Sequence, residues 1–387
     1  MKKFLAVVMA LAMVFSFAAC GGNKGGHDDS ELYLGCIGAL TGDYANYGLS
    51  VKYGAEIAVD EINAAGGING MKIVFDMQDS QADPESAKSA YGKLMDWGMD
   101  ISIGTVMSGE MASVVAESAN DDMFMISPSA SADACLEASS NAFRICFYDS
   151  YQGIAAADYV KENLAGKKVA VFYQSDIDYS LGLYESFKTQ AAADGIEIVE
   201  TQSFTSDEKD YTTQINALAD SGAEVIFIPI YAAEASMFLS QAKNGTDNAV
   251  FADNVYFFGC DGLDGILGKV EGNESTANNV LMLTPFAESS TDPAVVSFVN
   301  AYKAKTGAVP DQFAADGYDA VYVIKAVLES MGVTKSSEVS GAKVSEAVCK
   351  LTYEGVTGEM TWEANGNTNK LAMAIIYNDG VGTVFGE

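Results

Sequence analysis

Apolar runs alternate with helical periodicity along nearly the whole chain. Residues 32–40 read as an opening strand. Val51, Ala55, Ala58, Val59 and Ile62 then fall at i, i+4, i+7, i+8 and i+11, one face of a helix. Gly66 and Gly67 are placed to end it. Residues 71–76 form a second strand, and 84–97 a helix with Pro84 in its first turn. Short strands at 101–104 and 123–126 flank a helix over about 109–120. This β-α-β-α-β-α-β succession predicts an α/β fold with a doubly wound, Rossmann-like parallel sheet.

The pattern then restarts. Asp149-Ser150-Tyr151-Gln152 has the form of a capping box ahead of a helix to residue 164. Residues 169–173 and 225–230 are almost uniformly apolar, as expected of parallel strands covered on both faces. Helices over about 179–194, 211–221 and 232–244 separate further strands near 197–204 and 255–258. Two lobes of similar design therefore follow one another. The chain after about 279 holds one strand, helices over 293–306 and 313–331, a shorter helix and a hairpin-like tail. That is too little for a third domain, so it is expected to complete the first two lobes by crossing between them.

The N-terminus stands outside this pattern. Lys2 and Lys3 precede an apolar run over 4–17, which is too short to span a bilayer and reads as a signal peptide over 1–19. Ala18-Ala19-Cys20 resembles a bacterial lipobox, in which Cys20 is lipidated and begins the mature chain. Residues 20–30 then read as a flexible tether. The other reading is an ordinary signal peptide with Cys20 incidental. No second stretch reaches the length of a membrane helix.

Composition removes several function classes. The 53 acidic residues against 22 basic ones give a formal charge of −31, with no basic footprint for nucleic acid. The single histidine, His27, lies in the tether, so Ser-His-Asp, Cys-His and His-zinc sites are excluded from the folded body. Cys36, Cys135, Cys146, Cys260 and Cys349 show no C-x-x-C spacing, and no cysteine-only metal site is expected. Cys135 and Cys146 are candidates to pair. No phosphate-binding G-x-x-x-x-G-K-[ST] loop occurs. No cofactor or metal is expected, and catalysis by paired carboxylates is the one enzymatic reading left open.

Ligands of open parallel sheets bind beyond the carboxyl ends of the strands. Gly104-Thr105-Val106-Met107-Ser108-Gly109 follows the third strand, and Ser127-Pro128-Ser129-Ala130-Ser131 the fourth. Hydroxyls beside helix N-termini suit a carboxylate or other small anion. The plainer reading is that these serines cap their own helices. In the second lobe, Gln174 to Tyr179, Tyr231 and Gly259-Cys260-Asp261-Gly262 occupy corresponding ends. There Asp261 is either a cation acceptor among aromatic rings or a turn residue.

At these residues the chain resembles the leucine/isoleucine/valine-binding proteins, type I periplasmic binding proteins that serve ABC importers. The resemblance rests on residues 37–42, Tyr47-Gly48, Gly54-Ala55 and residues 60–70. It continues through 79–84, Ile126-Ser127-Pro128, Phe143-Arg144, 149–153 and Tyr318-Asp319-Ala320. It implies two lobes joined by a three-strand hinge, with crossings near 146–149, 281–286 and 355–359. Lobe 1 would then comprise 31–147 and 283–356, and lobe 2 would comprise 148–282 and 357–387.

The resemblance further implies that Ser108 and Ser129-Ala130-Ser131 grip an amino acid's α-carboxylate. Asp261 meets its α-ammonium, Tyr47, Tyr179 and Tyr231 line the cleft, and Met107 borders the side-chain pocket. Two departures stand out. Such proteins commonly carry Glu where Asp261 stands, and Glu110 follows Ser108 where further hydroxyls are usual. The expectation is a lipid-anchored extracytoplasmic receptor for a branched-chain or other apolar amino acid. It would partner ABC permease subunits, touch the membrane only through its anchor and perform no catalysis. The alternatives are an amide, urea-like or small-carboxylate ligand on the same fold, or a sensing module for a signalling partner.

Overall fold

The computed structural model describes residues 28–244 and 250–385. The signal peptide, Cys20 and most of the tether therefore lie outside the described residues. The first sheet is wholly parallel, in the order β2-β1-β3-β4-β5, with β1 Glu31–Gly38, β2 Lys72–Asp79, β3 Ile101–Thr105, β4 Met125–Ser127 and β5 Ala142–Arg144. Helices α1 (Ala45–Ala64), α2 (Pro84–Trp97) and α3 (Ser108–Ser118) connect its strands. Strand β5 has only three residues, too few for periodicity to show, and was not expected from the pattern.

The second sheet has the order β14-β13-β10-β9-β8-β6-β7. Its parallel strands are β6 Val169–Gln174, β7 Ile198–Phe204, β8 Val225–Phe227, β9 Tyr256–Gly259 and β10 Val280–Thr284. Strands β13 Met373–Asn378 and β14 Val381–Val384 extend one edge in antiparallel fashion. Helices α4 (Asp149–Asn163), α5 (Asp178–Asp194), α6 (Thr212–Asp220) and α7 (Ala232–Asn244) wind around it, and a short α8 spans Ile266–Lys269.

After β10 the chain returns to the first lobe as α9 (Pro293–Thr306), α10 (Gln312–Met331) and α11 (Gly341–Val348). Helix α10 packs closely along α1. Gly54 faces the Ala314 backbone and Gly317 faces the Val51 backbone, where a β-carbon would collide with main-chain atoms.

The third crossing lies later than the expected 355–359. Strands β11 (Thr352–Gly355) and β12 (Gly358–Thr361) pair only with each other. Trp362 Nε1 then donates to Arg144 O at 2.8 Å, and Arg144 N donates to Gly366 O at 3.1 Å. These bonds tie the stretch to β5, so 357–370 stays with the first lobe and the chain joins the second sheet only at Met373. Buried Lys370 anchors this stretch through Asp316 Oδ1 at 2.7 Å and Thr357 Oγ1 at 2.6 Å. Cys135 and Cys146 are separate buried thiols rather than a disulfide. Among the described residues no cluster of metal-ligating side chains occurs, and no helix is long and apolar enough to cross a membrane.

Candidate functional site

The carboxyl ends of both sheets face one cleft. On the first lobe, β3 delivers Val106 and Met107 to the start of α3, where Ser108 is the first helical residue. Its Oγ accepts from the backbone N–H of Ser131 at 3.2 Å and of Ala132 at 3.1 Å. Ser127 Oγ, at the end of β4, shapes that loop by accepting from Ala130 N at 2.8 Å and donating to Thr105 O at 2.7 Å. Both N–H groups are thus spent on Ser108 Oγ, which leaves the Ser108 O–H, at the N-terminus of α3, as the donor for a small anion.

On the second lobe, β9 ends at Gly259 and turns through Cys260 to Asp261. Asp261 Oδ1 accepts from Tyr179 Oη at 2.8 Å and from Gly262 N at 2.9 Å. Burial pushes its carboxyl up to about 6, against the opposing pull of the Tyr179 hydroxyl. Tyr179 stacks on Tyr231 with ring centroids 4.5 Å apart and planes 7° from parallel. Gly262 is required there, because a β-carbon would sit 2.5 Å from Tyr179 Oη.

Asp149 is the residue that sequence reasoning misplaced. The expected capping box is not made. Tyr148 occupies the cap position of α4 with no side-chain cap, and Asp149 is already helical. The N–H and hydroxyl of Ser150 bond instead to Asp133, at 3.0 and 2.7 Å. Both carboxylate oxygens of Asp149 are buried without a hydrogen-bond partner, as is Gln152 Nε2, while Gln152 Oε1 accepts from Asp261 N at 3.1 Å. Burial raises the Asp149 carboxyl well above its usual range, and the charge of Asp261 pushes the same way. Asp149 does not itself line the cleft, and it acts on it through the charge it sets behind Asp261.

The two lobes are closed on each other. Tyr47 Oη donates to Gly262 O at 2.7 Å and accepts from Ala232 N at 2.8 Å. Tyr44 Oη donates to Glu234 Oε1 at 2.9 Å. Gln312 N, at the start of α10, donates to Asp264 Oδ2 at 2.8 Å. Tyr47, Met107, Ser108, Ser129, Ser131, Tyr179, Tyr231 and Asp261 surround one void, together with Val106, Gly262 and Phe313, which sequence reasoning did not single out. Its free volume is about 10 Å³, on the order of one water.

Ala130, expected among them, does not line the void; it is fully buried in the apolar cluster around Met111. The Ser129 hydroxyl is committed to Val106 O at 2.8 Å. A groove of about 340 Å³ adjoins the void past Met107, Ser108, Tyr179 and Tyr231. Glu110 borders this groove but is only 1% exposed, so it does not point to solvent. Its carboxyl bends back toward Met107 N at 3.4 Å, and burial pushes it up to about 7.

The cleft therefore offers an O–H donor on one wall and the buried Asp261 with aromatic faces on the other. Its lining holds no histidine, and the Ser127 and Ser129 hydroxyls are committed to backbone carbonyls. This is a binding arrangement for a small dipolar solute.

The periplasmic binding protein family model matches residues 31–380. The chain belongs to that family. Its members are solute-binding proteins rather than enzymes, and the family works outside the cytoplasm. A Leu/Ile/Val-binding protein homologue of Brucella melitensis is 31% identical over 340 residues, covering 86% of this chain and 89% of its own. A Leu/Ile/Val-binding protein of Rhizobium johnstonii is 30% identical, with 87% and 92% covered. Among solved structures, the branched-chain amino acid transporter substrate-binding protein of Streptococcus pneumoniae, in complex with isoleucine, superposes with a TM-score of 0.81 at 28% identity. The superposition covers 91% of this chain and 97% of that one. A solute-binding protein of R. palustris in complex with benzoate gives the same TM-score at 20% identity, covering 92% and 96%. That likeness is one of fold alone.

Proposed function

We propose that the chain is the receptor of an ABC importer for a branched-chain or other apolar α-amino acid, tethered to the membrane through lipidated Cys20. The observation that carries this reading is the opposition of charge preference across the cleft. The Ser108 hydroxyl, which accepts from the N–H groups of Ser131 and Ala132 and keeps its own proton to donate, suits an α-carboxylate. Asp261, with the charge of Asp149 buried behind it, suits an α-ammonium. Val106, Met107, Tyr47 and Phe313 supply apolar surface for a side chain. The cation-seeking wall favours an amino acid over a benzoate-like acid, which has nothing to offer two buried carboxyls. Closure over the ligand buries it between lobes, and a permease reads the closed form.

A thermal-unfolding screen tests the ligand class. A ligand that binds only the folded state adds about 2.7 kcal/mol at a hundredfold excess over its dissociation constant. Leucine, isoleucine or valine should give the largest shifts. Stabilisation by benzoates, amides or urea-like solutes alone would replace the amino acid with that class.

A further inference from the structure

Arg144 ends β5 directly behind the anion-binding wall, and its side chain is fully buried. Its Nη1 donates to Ser131 O at 2.5 Å and its Nη2 to Ala132 O at 3.0 Å. Nη2 also lies 3.8 Å from Cys135 Sγ, and Nε has no partner. Its guanidinium bonds no carboxylate directly, although its charge acts on the buried carboxyls of Asp149 and Asp261. A buried guanidinium with no carboxylate in hydrogen-bond contact is costly, and a neutral donor would hold two carbonyls without that cost. Anchoring of the returning chain does not need the side chain either, because Trp362 and Gly366 bond only to the Arg144 backbone.

The carbonyl of Ser131 and the N–H of Ala132 belong to one peptide group. The guanidinium holds its oxygen together with the N–H of Asp149, at 2.9 Å, and its own N–H points to Ser108 Oγ in the cleft. Guanidinium, peptide and cleft acceptor therefore form one chain of aligned hydrogen bonds with its positive end outside the cleft and its donor end inside. Such chains polarise cooperatively in a low-dielectric interior. We propose that Arg144 is a positioning residue for the ligand's anionic group: it fixes the Ser131–Ala132 peptide and, through it, sets the preference for a carboxylate over a neutral amide. This rests on the reading that the cleft binds a carboxylate, whether of an amino acid or not.

The test is calorimetric titration of the purified wild-type protein, Arg144→Met and Arg144→Lys with two matched pairs, leucine with leucinamide and benzoate with benzamide. Far-UV dichroism reports folding. For the acid that the wild-type protein binds, Arg144→Met should weaken affinity about 10- to 100-fold, the range for a hydrogen bond to a charged group. The matching amide should change by less than about threefold, and Arg144→Lys should recover part of the preference, because it keeps the charge but not the fork. Equal losses for acid and amide would overturn the inference, as would failure of both variants to fold, which would assign Arg144 to the scaffold. Wild-type protein that takes benzoate but not leucine would defeat the amino-acid reading, while the acid-to-amide comparison would still decide Arg144. Wild-type preference for either amide would overturn both.

Discussion

Asp261→Asn should move stability and affinity in opposite directions. Burial lifts the Asp261 carboxyl from the usual 3.8 to about 6. The folded state therefore holds its proton more tightly than the unfolded chain. Between about pH 4 and pH 6 the folded state binds more protons, so stability falls as pH rises through that window and stays lowered above it. About two pH units at 1.36 kcal/mol each cost about 3 kcal/mol at pH 7.5. Asparagine removes that penalty. It also weakens the charge-assisted bonds from Tyr179 Oη and Gly262 N, a loss of about 1 kcal/mol. The ligand-free variant should thus be more stable by about 2 kcal/mol at pH 7.5, with no gain near pH 3.5. Removing the charge from a buried pair with an ammonium typically costs about 2–5 kcal/mol, so amino-acid affinity should fall by roughly 30-fold or more. Urea unfolding at both pH values, with calorimetric titration, measures both. A variant that is less stable at pH 7.5, or one that keeps wild-type affinity, would refute the reasoning.

Other consequences are independent of that experiment. Asp149→Asn should weaken amino-acid binding by about tenfold or more while sparing any ligand that lacks an ammonium, as titration of both types would reveal. Amino-acid affinity should decline below about pH 6 by roughly tenfold per unit, because Asp261 must release its proton to receive an ammonium; a flat profile from pH 7 to pH 4.5 would contradict this. Gly262→Ala should push Tyr179 off Asp261 and cost about 1–3 kcal/mol of stability as well as affinity, read by thermal unfolding and titration. Cys20→Ser should shift the protein from the membrane to the soluble fraction, and its retention in membranes without a bound partner would argue against lipidation.

The parts of this fold that were legible in the sequence are those written in local pattern. Almost uniformly apolar runs such as residues 169–173 can only be covered on both faces, and helices between them force a parallel sheet. The rule that ligands sit beyond strand ends then pointed to Ser108 and Asp261, which the structure places on opposite walls of one void. What escaped was set by distant contacts. Asp149 has the local look of a cap, and only the fold shows Asp133 taking over Ser150 and leaving the Asp149 carboxyl bare. The late third crossing depends on Trp362 and Gly366 reaching back to Arg144, which no local periodicity encodes. Ala130 and Ser131 are neighbours in a loop of small residues, and packing against the Met111 cluster turns one inward while the other faces the cleft.

The most direct test of the account is calorimetric titration of the ligand-free protein at pH 7.5 with leucine, set beside 4-methylpentanoate, the same chain without the amino group, and leucinamide, the same chain with its carboxylate replaced. The opposed walls of the cleft predict tight binding of leucine and a loss of at least about 30-fold for each analogue, since each leaves one wall unmatched. Binding of 4-methylpentanoate as tightly as leucine would show that Asp261 does not receive an ammonium, and the amino-acid reading would fall.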